Sequence, residues 1–158
     1  MSDAAQYVTL GIGDELLALP VETVREILEV GPIARLPHAP DHLLGMVDVR
    51  GQGVPVVDLR SKLGFDTAAD TDSTRIIVLD VALDGATSTF GLKTDRVIEV
   101  TTLDAPTLDA PPQVGVRWPS EAIEGIGRRA GRFVTVLSIR NLFGRRDLPA
   151  PLDAVDAA

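Results

Sequence analysis

Residues 45–64 read GMVDVRGQGVPVVDLRSKLG. Met46, Val47 and Val49 precede Arg50-Gly51, and Val54, Val56 and Val57 follow. Runs rich in β-branched residues, split by glycines, predict a strand pair, Leu43–Arg50 and Val54–Asp58, around Gly51-Gln52-Gly53. Leu59–Leu63 then allows one helical turn, stopped by Gly64. The stretch recurs in the chain. Offset by 80 residues it lies over GIGRRAGRFVTVLSIRNLFG, so that Gly45 meets Gly125, Gly51 meets Gly131, Val54 meets Val134, Val56 meets Val136, Arg60 meets Arg140 and Gly64 meets Gly144. Offset by 73, LPVETVREI lies over LKTDRVIEV, matching Leu19 with Leu92, Val24 with Val97 and Glu26 with Glu99. Strands, glycines and short helix follow the same order in both halves. Two copies of one small all-β unit with short helices account for this better than a single sandwich. Small closed barrels suit such short strands and remove exposed sheet edges.

Outward from this stretch, Tyr7–Ile12 and Glu15–Leu19 predict a hairpin turned at Gly13-Asp14. Val21–Leu28 reads as a short helix after Pro20, and Gly31-Pro32 breaks it. Residues 31–42 read as a proline-rich loop. Residues 66–73 (DTAADTDS) form the best linker, so the two units are expected to divide near 65–73. Strands resume at Arg75–Leu83, Thr87–Leu92 and Asp95–Thr102. Residues 104–120 hold four of the eleven prolines and read as loop. Ala122–Arg128 and Arg132–Leu137 flank Ala130-Gly131, Ile139–Phe143 repeats the short helix, and 147–158 reads as a loose tail. Val97, Ile98 and Val100 cannot all point inward on one strand, because side chains alternate.

The chain has 158 residues, two histidines and no cysteine. Disulfides, thiolate metal sites and cysteine nucleophiles are therefore excluded. His38 and His42 lie beside prolines without a third ligand, a poor zinc site. The net charge of −8 disfavours nucleic acid and anionic membrane as partners. No apolar run is long enough to span a bilayer, and MSDAAQ lacks the pattern of a signal peptide, so a cytoplasmic location is the default expectation. The serines have no nucleophile-elbow context, and only His38 or His42 could serve as base. Asp48 and Asp58 are better read as hairpin surface charges than as a catalytic pair. Gly11-Ile12-Gly13 is not a dinucleotide fingerprint.

What remains is a surface for partners. Arg50 faces Ala130 in the repeat, so it is not needed to build the unit. It can pair with Glu26 or Asp48, stay solvated, or present its planar fork to a partner.

The central stretch resembles the signature of CheW-type chemotaxis adaptor domains, G-V-I-N-L-R-G-x-v-v-P-V-v-D-L-r-x-x-L-G. Upstream, VETVREI and IARLPHAPDHLLG are similar to the family's V-x-x-V-x-E-I and I-T-x-L-P-x-a-P-x-x-x-x-G. Downstream, FGLKTDRVIEV and IEGIGRRAGRFVTVLSIRNLF resemble its v-G-l-x-V-D-x-V-x-e-V and its closing strand pair. The resemblance covers residues 6–146. It implies two tandem five-stranded SH3-like β-barrels, no catalysis and no cofactor. It also implies a protein, monomeric in isolation, that couples chemoreceptor tip helices to the regulatory domain of the histidine kinase CheA in receptor arrays at the inner face of the membrane. By position, the resemblance assigns Arg50, Glu26, Arg75, Ile76 and Val100 to receptor binding. It assigns Val24, Ile33, Gly45 and Gly51 to kinase docking. Asp48 replaces the usual asparagine, Ser138 the usual aspartate, and Arg75 a common aliphatic. These departures leave room for an adaptor or competitor of a specialised pathway such as pilus-based motility. A small hydrolase using His38 and His42 is the competing class.

Overall fold

The computed structural model describes residues 5–83, 85–110 and 122–142. A hairpin opens the chain, β1 (Gln6–Ile12) and β2 (Glu15–Pro20), turned at Gly13 with φ +56°. Val21–Thr23 make a single 3-10 turn, and Val24–Glu29 form β3. The helix expected over 21–28 is thus mostly strand. Its side chains alternate between half-buried and exposed, with Ile27 opposite Ile77 and Leu28 opposite Ile76 on a neighbouring strand. An isolated helix this short is marginal, and ladder pairing along the whole segment prevails.

β4 (Leu43–Val49), β5 (Gln52–Asp58) and α1 (Leu59–Lys62) follow. Asp58 caps α1, its Oδ1 accepting the Arg60 N–H at 3.1 Å. The second half repeats the plan: β6 (Arg75–Leu83), β7 (Ala86–Thr94), β8 (Arg96–Thr102), β9 (Ile123–Arg129), β10 (Arg132–Leu137) and α2 (Ile139–Leu142). Segments 111–121 and 143–158, including the expected tail, lie outside the described residues.

The strands form two five-stranded sheets, ordered β8-β1-β2-β10-β9 and β3-β6-β7-β5-β4. This is the all-β, two-barrel architecture expected, with one correction. Segment 66–73 joins β5 to β6, which belong to the same sheet, so it does not divide the barrels. It divides the sequence repeats instead. Exchanging each strand for its repeat counterpart turns one sheet order into the other, so each barrel takes its hairpin from one half and three strands from the other. The chain crosses between sheets at 21–23 and again at Asp95. The parallel pairs β2/β10 and β5/β7 join the two halves within each sheet.

Burial follows from this weave. β6 has neighbours on both sides and loses both faces to packing, so Ile76, Ile77, Val78 and Leu79 are all buried in a continuous apolar run. Ile76 and Val78 join Val47, Val54 and Val56 inside one barrel. Val134, Val136 and Ala18 fill the other. The largest cluster draws Leu10, Leu17 and Leu137 from one sheet and Ile77, Leu79 and Leu92 from the other, so it lies between them.

Candidate functional site

Arg50 and Gly51 are the two central residues of the β4–β5 turn, closed by the pair Val49 and Gln52. Both have positive φ, +54° and +84°, the geometry of a two-residue hairpin that follows the strands' twist. The turn is therefore one residue earlier than the Gly51-Gln52-Gly53 expected. Asp48 Oδ1 accepts the Gly51 N–H at 2.7 Å. An asparagine oxygen would accept the same bond, so the Asp48 substitution leaves the turn intact. Asp48 thus serves the turn, and the ion pair of Arg50 is with Glu26, Nη2 to Oε1 at 3.4 Å. The arginine side chain is 81% exposed and the glutamate 19%. Such an exposed pair contributes at most about 1 kcal/mol, and most of the guanidinium edge faces solvent.

The other expected residues divide. Val100 is 53% exposed on β8, and Ile98 beside it is 45% exposed. The register slips between Thr9 and Leu10, leaving Ile98 as the unpaired bulge residue, while Val97 packs on the core between the sheets. Ile76 does not face a partner. It is 1% exposed inside a barrel, because its alternate position on a central strand points inward. Arg75 is half-buried, and its Nη1 donates to the Asp72 and Thr74 carbonyls, both at 2.8 Å, so it braces its own loop. What direct contact brings together is Arg50 with Glu26; Val100 lies on the edge strand of the other sheet.

The residues expected to dock a kinase shape one edge. Val24 is half-buried against the core between the sheets, and Ile33 packs on the core inside the second barrel. Ala34 pairs with Met46 in both directions, each N–H donating to the other's carbonyl at 2.8 Å. Gly45, at φ +148°, permits this, since a Cβ there would meet the Ala34 carbonyl and Ile33 Cγ2. Gly51 supplies the second positive φ of the turn.

Three features escaped the sequence reading. Asp95, at the crossing, receives Arg60 Nε and Nη2 at 2.8 and 2.7 Å and the Gly13 N–H at 2.7 Å. Burial pushes its carboxyl up, but Arg60, the Gly13 N–H and Arg96 together hold it below the ordinary aspartate value. A second arginine–glutamate pair, Arg129 Nε to Glu99 Oε2 at 3.3 Å, spans the other barrel. The Glu26–Glu99 match in the repeat signals it, but its arginine is offset by one position from the counterpart of Arg50. Finally, Asp104 accepts the Ala130 and Gly131 N–H groups at 2.9 and 3.0 Å, doing for the β9–β10 turn what Asp48 does for the other.

Two interleaved barrels with a presented arginine and exposed aliphatic edges have the features of a binding module. A match to the CheW-like domain spans residues 6–147, and the chain belongs to this family of chemotaxis coupling adaptors. The chain is 27% identical to chemotaxis protein CheW of Treponema pallidum over 90% of this chain and 84% of that one. It is 29% identical to protein FrzA of Myxococcus xanthus over 80% and 76%. Its fold matches scaffolding protein TtCheW from Thermoanaerobacter tengcongensis with a TM-score of 0.81 at 24% identity, covering 95% of this chain and 94% of that one. No helix among the described residues is long and apolar enough to cross a membrane.

Proposed function

We propose that this chain is a non-catalytic scaffold joining the tip helices of chemoreceptors to the regulatory domain of a CheA-type histidine kinase, at cytoplasmic receptor arrays. The carrying observation is the presentation of Arg50. A rigid two-residue turn holds it 81% exposed and tethered to Glu26, free to offer its remaining donors. Arg50, Glu26 and Val100 are its receptor-facing residues. Arg75 supports that face through its loop, and Ile76 lies behind it in the core. Ile33, with Val24 and the two glycines that seat the 33–35 segment and the turn, forms the kinase-facing edge. Contacts modest singly become strong when multiplied across an array.

Calorimetric titration against the regulatory domain of the CheA-type kinase from the same genome tests the reading. One-to-one micromolar binding, abolished by Ile33→Asp but kept by Arg50→Asn, is the expected result. Absence of heat with a folded protein would overturn the kinase assignment.

A further inference from the structure

Gly11-Ile12-Gly13 has no part in the scheme above, yet three consecutive side chains hold it. The Thr94 hydroxyl donates to the Gly11 carbonyl at 3.1 Å. Asp95 Oδ2 accepts the Gly13 N–H at 2.7 Å. Arg96 Nη1 donates to the Gly13 carbonyl at 2.9 Å. The Arg96 guanidinium lies against Gly11, where a Cβ would collide with it. Thr94 ends β7 and Arg96 begins β8, so the second crossing between the sheets grips the β1–β2 turn. Asp95 also takes two nitrogens of Arg60, which stands on α1 after β5 of the other barrel. The third nitrogen, Nη1, donates to the Asp66 carbonyl at 2.8 Å. Arg60, Asp95 and Gly13 thus form one polar bridge from barrel to barrel.

Building a barrel does not call for this bridge. The offset of 73 lays the first crossing, Val21-Glu22-Thr23, over Thr94-Asp95-Arg96. There the Thr23 hydroxyl donates to the Pro20 carbonyl at 2.8 Å, within its own turn. Glu22 and Arg140, the repeat counterparts of Asp95 and Arg60, are both exposed. What the second crossing adds is direction. The core between the sheets is apolar, and burial of apolar surface is non-directional. Hydrogen bonds to fixed donors and acceptors weaken steeply when their angles change. Arg60 follows the strand whose far end meets the Arg50 turn, and Arg96 opens the strand that carries Val100.

We propose that Thr94, Asp95, Arg96 and Arg60 are positioning residues. Closed on the Gly11–Gly13 turn, they fix the angle between the barrels, and with it the spacing of Arg50 from Val100. The consequence for Arg50 and Val100 rests on the receptor reading above; the fixed angle does not. The kinase-facing residues all lie on one barrel, so loosening the bridge leaves that edge intact.

The chain has no cysteine, so nitroxide labels can be placed through Gln52→Cys and Arg132→Cys, repeat counterparts beside the two hairpin turns. Pulsed dipolar spectroscopy then reads the separation of the barrels. One narrow distance distribution is expected for the otherwise native chain. Asp95→Asn and Arg96→Ala should broaden or shift it, and Thr94→Ser should not. Gly11→Ala should act like Arg96→Ala, and adding it to Arg96→Ala should change nothing further, because its methyl works by displacing the guanidinium. In calorimetry the loosened variants should bind a receptor tip fragment severalfold more weakly and the kinase regulatory domain as the native chain does. Circular dichroism checks folding, and Arg60→Gln replaces Asp95→Asn should that variant unfold. An unchanged distance distribution in the folded variants would overturn the proposal, as would equal weakening toward both partners. A native chain that binds no receptor fragment would instead overturn the receptor reading, with the distance distributions still deciding whether the bridge sets the angle.

Discussion

Arg50 occupies a left-handed backbone conformation that costs a side-chain-bearing residue roughly 1–2 kcal/mol. Ala130 accepts the same conformation in the other hairpin, at φ +53°. Asparagine tolerates it far better. Arg50→Asn should therefore fold at least as stably, the relief of about 1 kcal/mol offsetting the lost pair with Glu26. Receptor binding should fall about tenfold. Urea denaturation beside a receptor-fragment binding assay separates the two effects, and a large loss of stability would make the arginine structural. Asp95 offers a pH test. Its folded-state carboxyl lies below the ordinary value, so its contribution is complete above about pH 4 and disappears as pH falls through the folded value. Asp95→Asn should lose that contribution at neutral pH and show a flatter loss of stability below pH 4 in urea titrations. Arg60→Ala should cost roughly 1–3 kcal/mol, less than a fully buried pair because the two side chains are 19% and 26% exposed. The contacts of a residue were legible where a turn or a motif announced them, as with the ion pair of Arg50 and Glu26. They were obscured where they depended on the parity of a strand buried on both faces, as with Ile76. The clamp at Asp95 joins groups far apart in sequence, and no local pattern announces it.

Each barrel has an edge closed by a borrowed strand-like segment. Ala34 bridges to Met46 beside Gly45, and Asp109 bridges to Ile126 beside Gly125. A Cβ at Gly125 would stand 2.6 Å from Leu108 Cβ and 3.0 Å from the Asp109 carbonyl. The two glycines aligned by the repeat are thus the same device. Gly45→Ala should expel the 33–35 segment at a cost of about 3 kcal/mol or more, combining backbone strain with a steric clash. Hydrogen exchange reads it directly: the Ala34 and Met46 amides should lose protection while those of β6 and β7 keep theirs. At this scale most strands were legible from alternation and from glycine turns. β3 was not, because three apolar residues at helical spacing also fit a strand whose partner, β6, begins some fifty residues later.

The weave of the two barrels was visible in the sequence only as a repeat. The repeat identified the unit and its count, and segment 66–73 does mark the seam between copies. Which strands sit together is decided by the crossings at 21–23 and Asp95, short segments with no compositional mark of a domain boundary. Cutting the chain within 66–73 should leave two fragments, neither containing a whole barrel. Each should be largely unfolded alone, and mixing them should restore the β-sheet spectrum, with micromolar or tighter association driven by the shared core between the sheets. A fragment that folds by itself as a monomer would contradict the strand order.

The same crossings order events at the ribosome. The barrel of β3–β7 is contiguous and can close once residue 94 has emerged. The hairpin β1–β2 is made first, but it gains β8 only at residue 102 and the last of its three companion strands only at residue 137. At roughly 5–20 residues per second, it waits for several seconds with Leu17 and Leu19 uncovered on one face and Ala18 on the other. Docking that hairpin onto the completed barrel through the shared core would shield one face early. The younger barrel then assembles on the older one as its template, and a pause in translation near residue 100 would leave the other face as the nascent chain's point of vulnerability.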